Sequence, residues 1–144
     1  MNKPVILCIG SEKICGDSLG PLVGTYLKSK YEVDAYVYGT IERPINKLNL
    51  SEYLSNVKRY HKDSKVIAID AALGRAEDVG RIKVIEGGLY PGGVMEKGEK
   101  VGDVGIMGIV NYYEKNFMRQ LLNVEFEFIE ELAEKIAMTL KMSI

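Results

Sequence analysis

The chain has 144 residues, of which 47% are hydrophobic and 27% charged, and its formal net charge at pH 7 is −1. This length predicts one domain over residues 1–144 that can bury a hydrophobic core. The small net charge, with lysines and arginines scattered along the chain, argues against a nucleic acid or an acidic membrane surface as the partner. No apolar run approaches the roughly 20 residues that span a bilayer, and the apolar run near the N-terminus is too short for a signal peptide, so we expect a cytoplasmic protein.

The first half of the chain predicts strands and helices in alternation. The first strand is apolar throughout, which is typical of a strand covered on both faces of a sheet. Pro21 fits the first turn of the helix that follows, and Ser51 is a candidate N-cap for the second helix. The predicted elements are a strand over 4–9, a helix over 18–29, a strand over 34–39, a helix that begins within 50–52 and runs to about 61, and a strand over 65–69.

The second half predicts two further strands and two helices. Residues 81–86 alternate polar and apolar side chains, which favours a strand at the edge of the sheet. A glycine-rich segment over 87–102 leads to an apolar strand over 103–110, and helices follow over about 113–122 and 125–142. The apolar stripe of the last helix is typical of core packing. This order of elements predicts a three-layer α/β/α domain with a mostly parallel sheet.

Two aspartates stand where a predicted strand ends or a predicted helix begins. Asp17 comes just before the first helix, and Asp70 directly follows the strand over 65–69. Because an open parallel sheet binds ligands at the carboxyl ends of its strands, both carboxylates should meet at that edge. Two close carboxylates cannot both ionise cheaply, so the pair could act as acid and base. It could equally bind a divalent cation.

Each aspartate also has a purely structural interpretation. Asp17 or Ser18 could only cap the first helix. Asp70 could only accept hydrogen bonds from backbone N–H groups of the loop that follows it. The residues by themselves leave these alternatives open.

Glycines surround the first aspartate and fill a later segment. Gly20 and Gly24 lie on one face of the predicted helix and would let it approach the sheet closely, and Gly16 would allow an unusual backbone angle. The segment over 87–102 contains no phosphate-binding pattern. It could cover a bound substrate, and it could equally be a plain connection.

Other reactive side chains are weaker candidates. His61 lies among charged residues near the end of a helix and is interpreted as a surface residue. Ser18 has no histidine partner for a serine-hydrolase triad, and Cys15 is a weak nucleophile for the same reason. Cys8 fits the core of the first strand, and we expect both cysteines to be free thiols in a reducing compartment.

Short motifs along nearly the whole chain resemble, in the same order, those of the sporulation protein YyaC family. The members of that family are described as candidate spore proteases. The motifs are Gly-Asp-Ser-Leu-Gly-Pro (16–21), Tyr-Gly-Thr (38–40), Ile-Asp-Ala-Ala-Leu-Gly (69–74), Tyr-Pro-Gly-Gly-Val (90–94), Val-Gly-Asp (101–103) and Gly-Ile-Val-Asn (108–111).

This family is in turn similar to the spore germination protease, an atypical aspartic peptidase with two essential aspartates. The likeness is local, and it places the essential pair on Asp17 and Asp70. The resemblance also implies the fold of the hydrogenase-maturation endopeptidases, which is phosphorylase/hydrolase-like. Those enzymes hold nickel with an acidic residue, an aspartate and a histidine. No histidine follows Asp70 in this chain, a departure that argues against nickel recognition but leaves the carboxylate pair in place.

The resemblance implies a cytoplasmic endopeptidase of spore-forming bacteria that acts in sporulation or germination, in the sporulating cell or forespore. Asp17 and Asp70 would be catalytic, and a protein or peptide would be the substrate. The alternative is a non-catalytic or metal-binding module of the same fold, with the two aspartates as ligands of a divalent metal, that binds a protein partner during spore formation. The oligomeric state is left open. The predicted substrate-binding residues are Gly16, Ser18, Thr40, Glu42, Ala71, Pro91, Gly92, Gly93 and Asn111.

Overall fold

A computed structural model describes residues 2–91 and 99–144 of the chain. A single 3₁₀ turn, Gly16–Ser18, precedes the first helix, and a π-helical turn, Tyr26–Lys30, extends it. The main elements are β1 (Val5–Cys8), α1 (Leu19–Thr25), β2 (Tyr36–Tyr38), α2 (Leu50–Tyr60), β3 (Val66–Gly74), β4 (Ile82–Glu86), β5 (Val104–Tyr112), α3 (Phe117–Leu122) and α4 (Phe126–Ser143).

The five strands form one sheet in the order β2-β1-β3-β5-β4. All neighbouring strands are parallel except β4, which pairs antiparallel with β5 at the edge of the sheet. The mostly parallel sheet and the edge position of the fourth strand confirm two predictions from the sequence. Within residues 2–91 and 99–144, no helix is long and apolar enough to cross a membrane.

Two hydrophobic clusters cover the two faces of the sheet. The first packs α1 and α4 against one face, and the apolar stripe of α4 is buried in it as predicted, with Leu132 and Ile136 at its centre. The second packs α2 and the residues around Leu89 and Val101 against the other face. Helices and connecting segments on both sides of a central sheet confirm the three-layer α/β/α prediction.

Helix α1 lies very close to the sheet because it carries two glycines on the facing side. A Cβ atom at Gly20 would overlap the carbonyl oxygen of Ile9, and one at Gly24 would overlap the carbonyl oxygen of Gly39. The prediction for these two glycines is therefore confirmed. The prediction for Gly16 is wrong: its φ angle is not in the left-handed region, and it is small because a Cβ there would meet the Leu121 carbonyl oxygen of α3 at 2.7 Å.

Several element boundaries differ from the predicted ones. Strand β3 continues past residue 69 to Gly74 because its last residues pair with β5 beyond the end of β1. Strand β5 likewise extends past Asn111, and Asp70 therefore lies inside a strand rather than after one. Helix α2 begins at Leu50 with Asn49 in the N-cap position, so the N-cap prediction for Ser51 is wrong.

Candidate functional site

Asp70 lies where β1 stops running beside β3. The last residue of β1 is Cys8, which pairs with Ile69, and the chain after β1 turns away to pair with Ile45 instead. The chain runs from β1 through α1 to β2, which lies on one side of β1 in the sheet, whereas β3 lies on the other side. The end of β1 is therefore a switch point of the sheet, the place where open α/β folds bind ligands.

The Asp70 carboxyl is almost completely buried, with 2% of the residue exposed. Its Oδ1 atom accepts a hydrogen bond from the Ala71 N–H group at 2.8 Å. The Ile69 carbonyl oxygen accepts a hydrogen bond from the Ile9 N–H group, so the backbone of Ile69 faces β1. Backbone groups two residues apart in a strand point to the same side, so the Ala71 N–H group also faces the side of β1. At that point β1 has already ended. The carboxylate accepts the hydrogen bond that a longer β1 would have accepted. The structural interpretation placed such a donor in a loop after Asp70, whereas Ala71 lies inside β3. Asp70 also lines the cleft described below.

Asp17 reaches the same region from the turn before α1. Its Oδ2 atom accepts a hydrogen bond from the Ser11 N–H group at 2.9 Å, which closes the loop between β1 and α1. Ser18 occupies the N-cap position of α1 without a side-chain capping bond, and its hydroxyl donates to the Cys15 carbonyl oxygen at 2.6 Å instead. The helix-capping interpretation therefore does not describe the Ser18 side chain.

The Asp17 carboxyl holds its proton more tightly than an ordinary aspartic acid. Burial raises its pKa to about 6, against the opposing effects of the Ser11 hydrogen bond and the positive charge of Lys47. A carboxyl of this kind is ionised at neutral pH yet basic enough to accept a proton during a reaction. Strongly raised carboxyl pKa values in a cleft are typical of functional sites.

The two aspartates line one cleft with a volume of about 510 Å³. Three segments of the chain form its walls: the loop after β1, the loop before α2, and α3. Apolar residues make up much of these walls. The lining residues are Ile9, Gly10, Ser11, Glu12, Lys13, Ile14, Asp17, Asn46, Lys47, Leu48, Leu50, Asp70, Pro91, Phe117, Met118 and Leu121.

Of the predicted substrate-binding residues, Pro91 lines this cleft together with the aspartates. Gly92 and Gly93 lie outside the described residues. Thr40 sits in a turn, where its N–H group donates to the Arg43 carbonyl oxygen and its Oγ1 atom accepts from the Arg43 N–H group, both at 3.1 Å. The other predicted residues do not line the cleft. They are Gly16, Ser18, Glu42, Ala71 and Asn111.

Asn111 fastens α3, which forms one wall of the cleft. Its side-chain amide donates to the Gln120 carbonyl oxygen at 3.0 Å. The Gln120 side-chain amide, buried with 3% of the residue exposed, donates to the Tyr112 carbonyl oxygen at 2.8 Å. These bonds tie α3 to the end of β5 in two places. The role of Gln120 was not predictable from the sequence, where its one unusual feature is that it is a polar residue in a short, mainly apolar helix.

His61 lies apart from the cleft. It is half-buried rather than at the surface, because its ring packs against Tyr36 with centroids 4.4 Å apart and its Nε2 atom is 2.7 Å from the Tyr38 hydroxyl. In the described part of the chain, no three His, Cys, Asp or Glu side chains gather as metal ligands would. A divalent ion at the cleft would therefore depend on the two aspartates and on water, as Mg²⁺ sites often do.

Comparison with known proteins gives three results. The profile of a family described as "Protein of unknown function (DUF1256)" matches residues 1–139. The chain is 40% identical to "Uncharacterized protein YyaC" of Bacillus subtilis (strain 168) over 144 residues, which cover 96% of this chain and 70% of that protein. The motif resemblance to that family is thereby confirmed.

The fold is similar to that of the [NiFe] hydrogenase maturation protease HycI from Thermococcus kodakarensis KOD1. The TM-score is 0.63, and the match covers 97% of this chain and 90% of that one. At 18% sequence identity, this likeness establishes the fold alone. It confirms the predicted maturation-peptidase-like architecture.

Proposed function

Because the chain belongs to the family described as "Protein of unknown function (DUF1256)" and has the fold of a maturation protease, we propose that it is an endopeptidase. Asp17 and Asp70 would be its catalytic residues. The observation that carries the proposal is that these two carboxyls, from separate segments, line one cleft at the switch point of the sheet. The raised pKa of Asp17, about 6, adds a group suited to proton transfer near neutral pH.

In the proposed mechanism, the ionised Asp17 carboxylate takes a proton from a water molecule, and the resulting hydroxide attacks the carbonyl carbon of a bound peptide bond. The tetrahedral intermediate then breaks its C–N bond, and the leaving nitrogen receives a proton from the carboxyl pair. Such a division of roles needs one proton shared by the two groups. Burial favours that state, because it disfavours a charged carboxylate and raises the pKa of Asp17 to about 6.

The proposed setting is the cytoplasm of the sporulating cell or forespore, with a protein or peptide as substrate. The motif resemblance supports this setting. The fold supports a polypeptide substrate, because the similar solved structure is that of a maturation protease.

The proposal is tested with Asp17→Asn and Asp70→Asn, made separately. Unfolded casein is incubated with each protein, and new peptide termini are counted by mass spectrometry. The wild type should cleave, and each variant should lose at least about 100-fold in rate, because general acid–base catalysis contributes roughly that much or more. Glu12→Gln is the matched control, since Glu12 lines the same cleft but has no proposed catalytic role.

Cleavage by both aspartate variants at the wild-type rate would refute the mechanism. Addition of EDTA, which chelates divalent ions, tests whether cleavage needs a bound metal ion. If EDTA abolishes cleavage and Mg²⁺ restores it, the two aspartates act through a bound ion. If EDTA has no effect, they act on water directly.

A further inference from the structure

The loop before α2 holds one leucine almost completely in solvent. Leu48 is 94% exposed and lines the cleft. The side chains of Asn46 and Asn49 fix the loop, because each accepts a hydrogen bond from the other's N–H group, at 3.2 and 2.8 Å. The Asn46 Oδ1 atom also accepts from the Leu48 N–H group at 2.9 Å, and the Asn49 amide donates to the Pro44 carbonyl oxygen at 3.1 Å. These hydrogen bonds hold the backbone of the loop in place and thereby keep the Leu48 side chain in solvent.

Apolar side chains of α3 line the same cleft. Met118 is 41% exposed, and Phe117 and Leu121 are partly buried beside it. Helix α3 is held in place through Gln120 and Asn111, as described above. The cleft therefore has two firmly supported apolar walls. Single exposed apolar residues are common on protein surfaces, but apolar residues gathered in one cleft mark a binding site.

Two lysines line the cleft. Lys47 precedes Leu48, and its charge acts on the Asp17 carboxyl, which also lines the cleft. Lys13 is the second exposed lysine of the lining, and of the lining residues that the structure describes, Glu12 is the one acidic side chain besides the two aspartates. Although the lining holds more acidic than basic side chains, Lys47 directly precedes Leu48, so a carboxylate next to an apolar side chain of a ligand could pair with it.

We propose that Leu48, together with Phe117 and Met118, forms a subsite for an apolar side chain of an extended polypeptide, and that Lys47 meets an acidic residue beside it. This inference rests on the proposed function, since the polypeptide is taken to be the substrate of Asp17 and Asp70. Leu48 is then a specificity-determining residue of the cleft. Binding buries its side chain, which otherwise remains in water.

The subsite is tested by fluorescence anisotropy with labelled synthetic peptides, in the Asp17→Asn background so that cleavage does not intervene. One peptide carries Phe-Glu in a Gly-Ser chain, and two others carry Ser-Glu or Phe-Lys. The Phe-Glu peptide should bind about ten-fold more tightly than the Ser-Glu peptide, a change within the range expected for burial of one aromatic side chain. It should also bind more tightly than the Phe-Lys peptide, because glutamate can pair with Lys47 and lysine cannot. Leu48→Ser should remove the preference for Phe over Ser.

Met142→Ser is the matched control, because Met142 is also largely exposed, at 82%, but lies on α4 outside the cleft lining. It should keep the preference. The proposal is overturned if none of the peptides binds, if Phe and Ser peptides bind equally, or if Leu48→Ser retains the preference. It is also overturned if light scattering shows a dimer that Leu48→Ser converts to a monomer, because the occupant is then a second copy of the chain.

Casein cleavage separates this inference from the proposed function. If the peptides bind with a preference that depends on Leu48 and casein stays intact, the subsite stands and the peptidase proposal fails. If casein is cut equally well by the wild type and by Leu48→Ser, at positions without apolar residues, the peptidase proposal stands and the subsite fails.

Discussion

Asp17 occupies a position in which a charged carboxylate is costly. Burial raises its pKa to about 6 from an ordinary value of 3.8, although a hydrogen bond from Ser11 and the charge of Lys47 both favour the ionised form. This difference corresponds to at most roughly 3 kcal/mol of stability lost once the group is ionised. A residue that lowers the stability of its own fold is typical of functional sites, where activity and stability conflict.

We expect Asp17→Asn to raise the free energy of unfolding by about 1–2 kcal/mol at about pH 8. The folded state binds the Asp17 proton more tightly than the unfolded chain does. Wild-type stability therefore falls as the pH rises from about 4 through about 6, while the uncharged asparagine avoids this loss. Near pH 4 and below, the difference should vanish. Urea denaturation followed by circular dichroism at both pH values measures it.

Glu12→Gln is the control, because it removes an exposed carboxylate from the same cleft. Its effect on unfolding should stay within about 0.5 kcal/mol at either pH, as for most surface substitutions. If Asp17→Asn were less stable than the wild type at about pH 8, burial would not be the main influence on the Asp17 carboxyl.

At the scale of single residues, the sequence pointed to Asp17 and Asp70 because a charged residue after an apolar strand or before a helix is expected at the carboxyl edge of the sheet. It did not point to Lys47 and Leu48. These residues lie in an exposed loop without hydrophobic periodicity, and hydrogen bonds of the Asn46 and Asn49 side chains fix their position. Such side-chain bonds follow from short polar spacings that also occur in many ordinary turns.

At the scale of elements, the length of β3 was the main error. The apolar run Val66–Ile69 was expected to end at the aspartate, since a charged residue rarely continues a buried strand. The strand continues because Ala71–Gly74 pair with β5 after β1 has ended. The register between two distant segments decides where a strand ends, and a single segment of sequence does not carry that information. Asp70 still lies at the binding edge, because β1, not β3, ends there.

Helix α3 illustrates how a short element can be held by polar bonds. With six residues, it is too short to be stable by itself. The Asn116 side chain accepts a hydrogen bond from the Arg119 N–H group at its start, and Gln120 and Asn111 tie it to the end of β5. The wall that it forms in the cleft therefore depends on two buried or half-buried amides.

We expect Gln120→Met to destabilise the protein by about 1 kcal/mol, because the hydrogen bond from the buried Gln120 amide to the Tyr112 carbonyl oxygen is lost. Amide hydrogen exchange within Phe117–Leu122 should accelerate more than exchange within α4, since the loss of anchoring is local. Arg119→Ala, on an exposed position of the same helix, should leave exchange within Phe117–Leu122 nearly unchanged. Acceleration spread evenly over both helices would contradict the anchoring role.

At the scale of the whole molecule, the two hydrophobic clusters share the central strands. Strand β1 contributes Ile6 and Cys8 to the cluster under α1 and α4, and Val5 and Leu7 to the cluster under α2. Removal of either layer would expose the same strands on one face. Since strands of a parallel sheet are stable only when both faces are covered, the layers should unfold together. The sequence predicted this sharing through the unbroken apolar run of β1.

We therefore expect residues 1–144 to unfold as one cooperative domain. Leu132→Ala removes a buried side chain from the first cluster, and Leu89→Ala removes one from the second. Each should lower the free energy of unfolding by about 2–5 kcal/mol, and each should move a single common transition. Far-UV circular dichroism and the fluorescence of the nine tyrosines, in a chain without tryptophan, follow urea unfolding independently, and in a two-state protein their midpoints coincide.

Leu122→Ala, on an exposed position of α3, is the control and should change the midpoint little. Two transitions, or a variant that shifts one probe and leaves the other, would show that the layers fold separately, and the cleft between their loops would then be exposed to local opening without global unfolding.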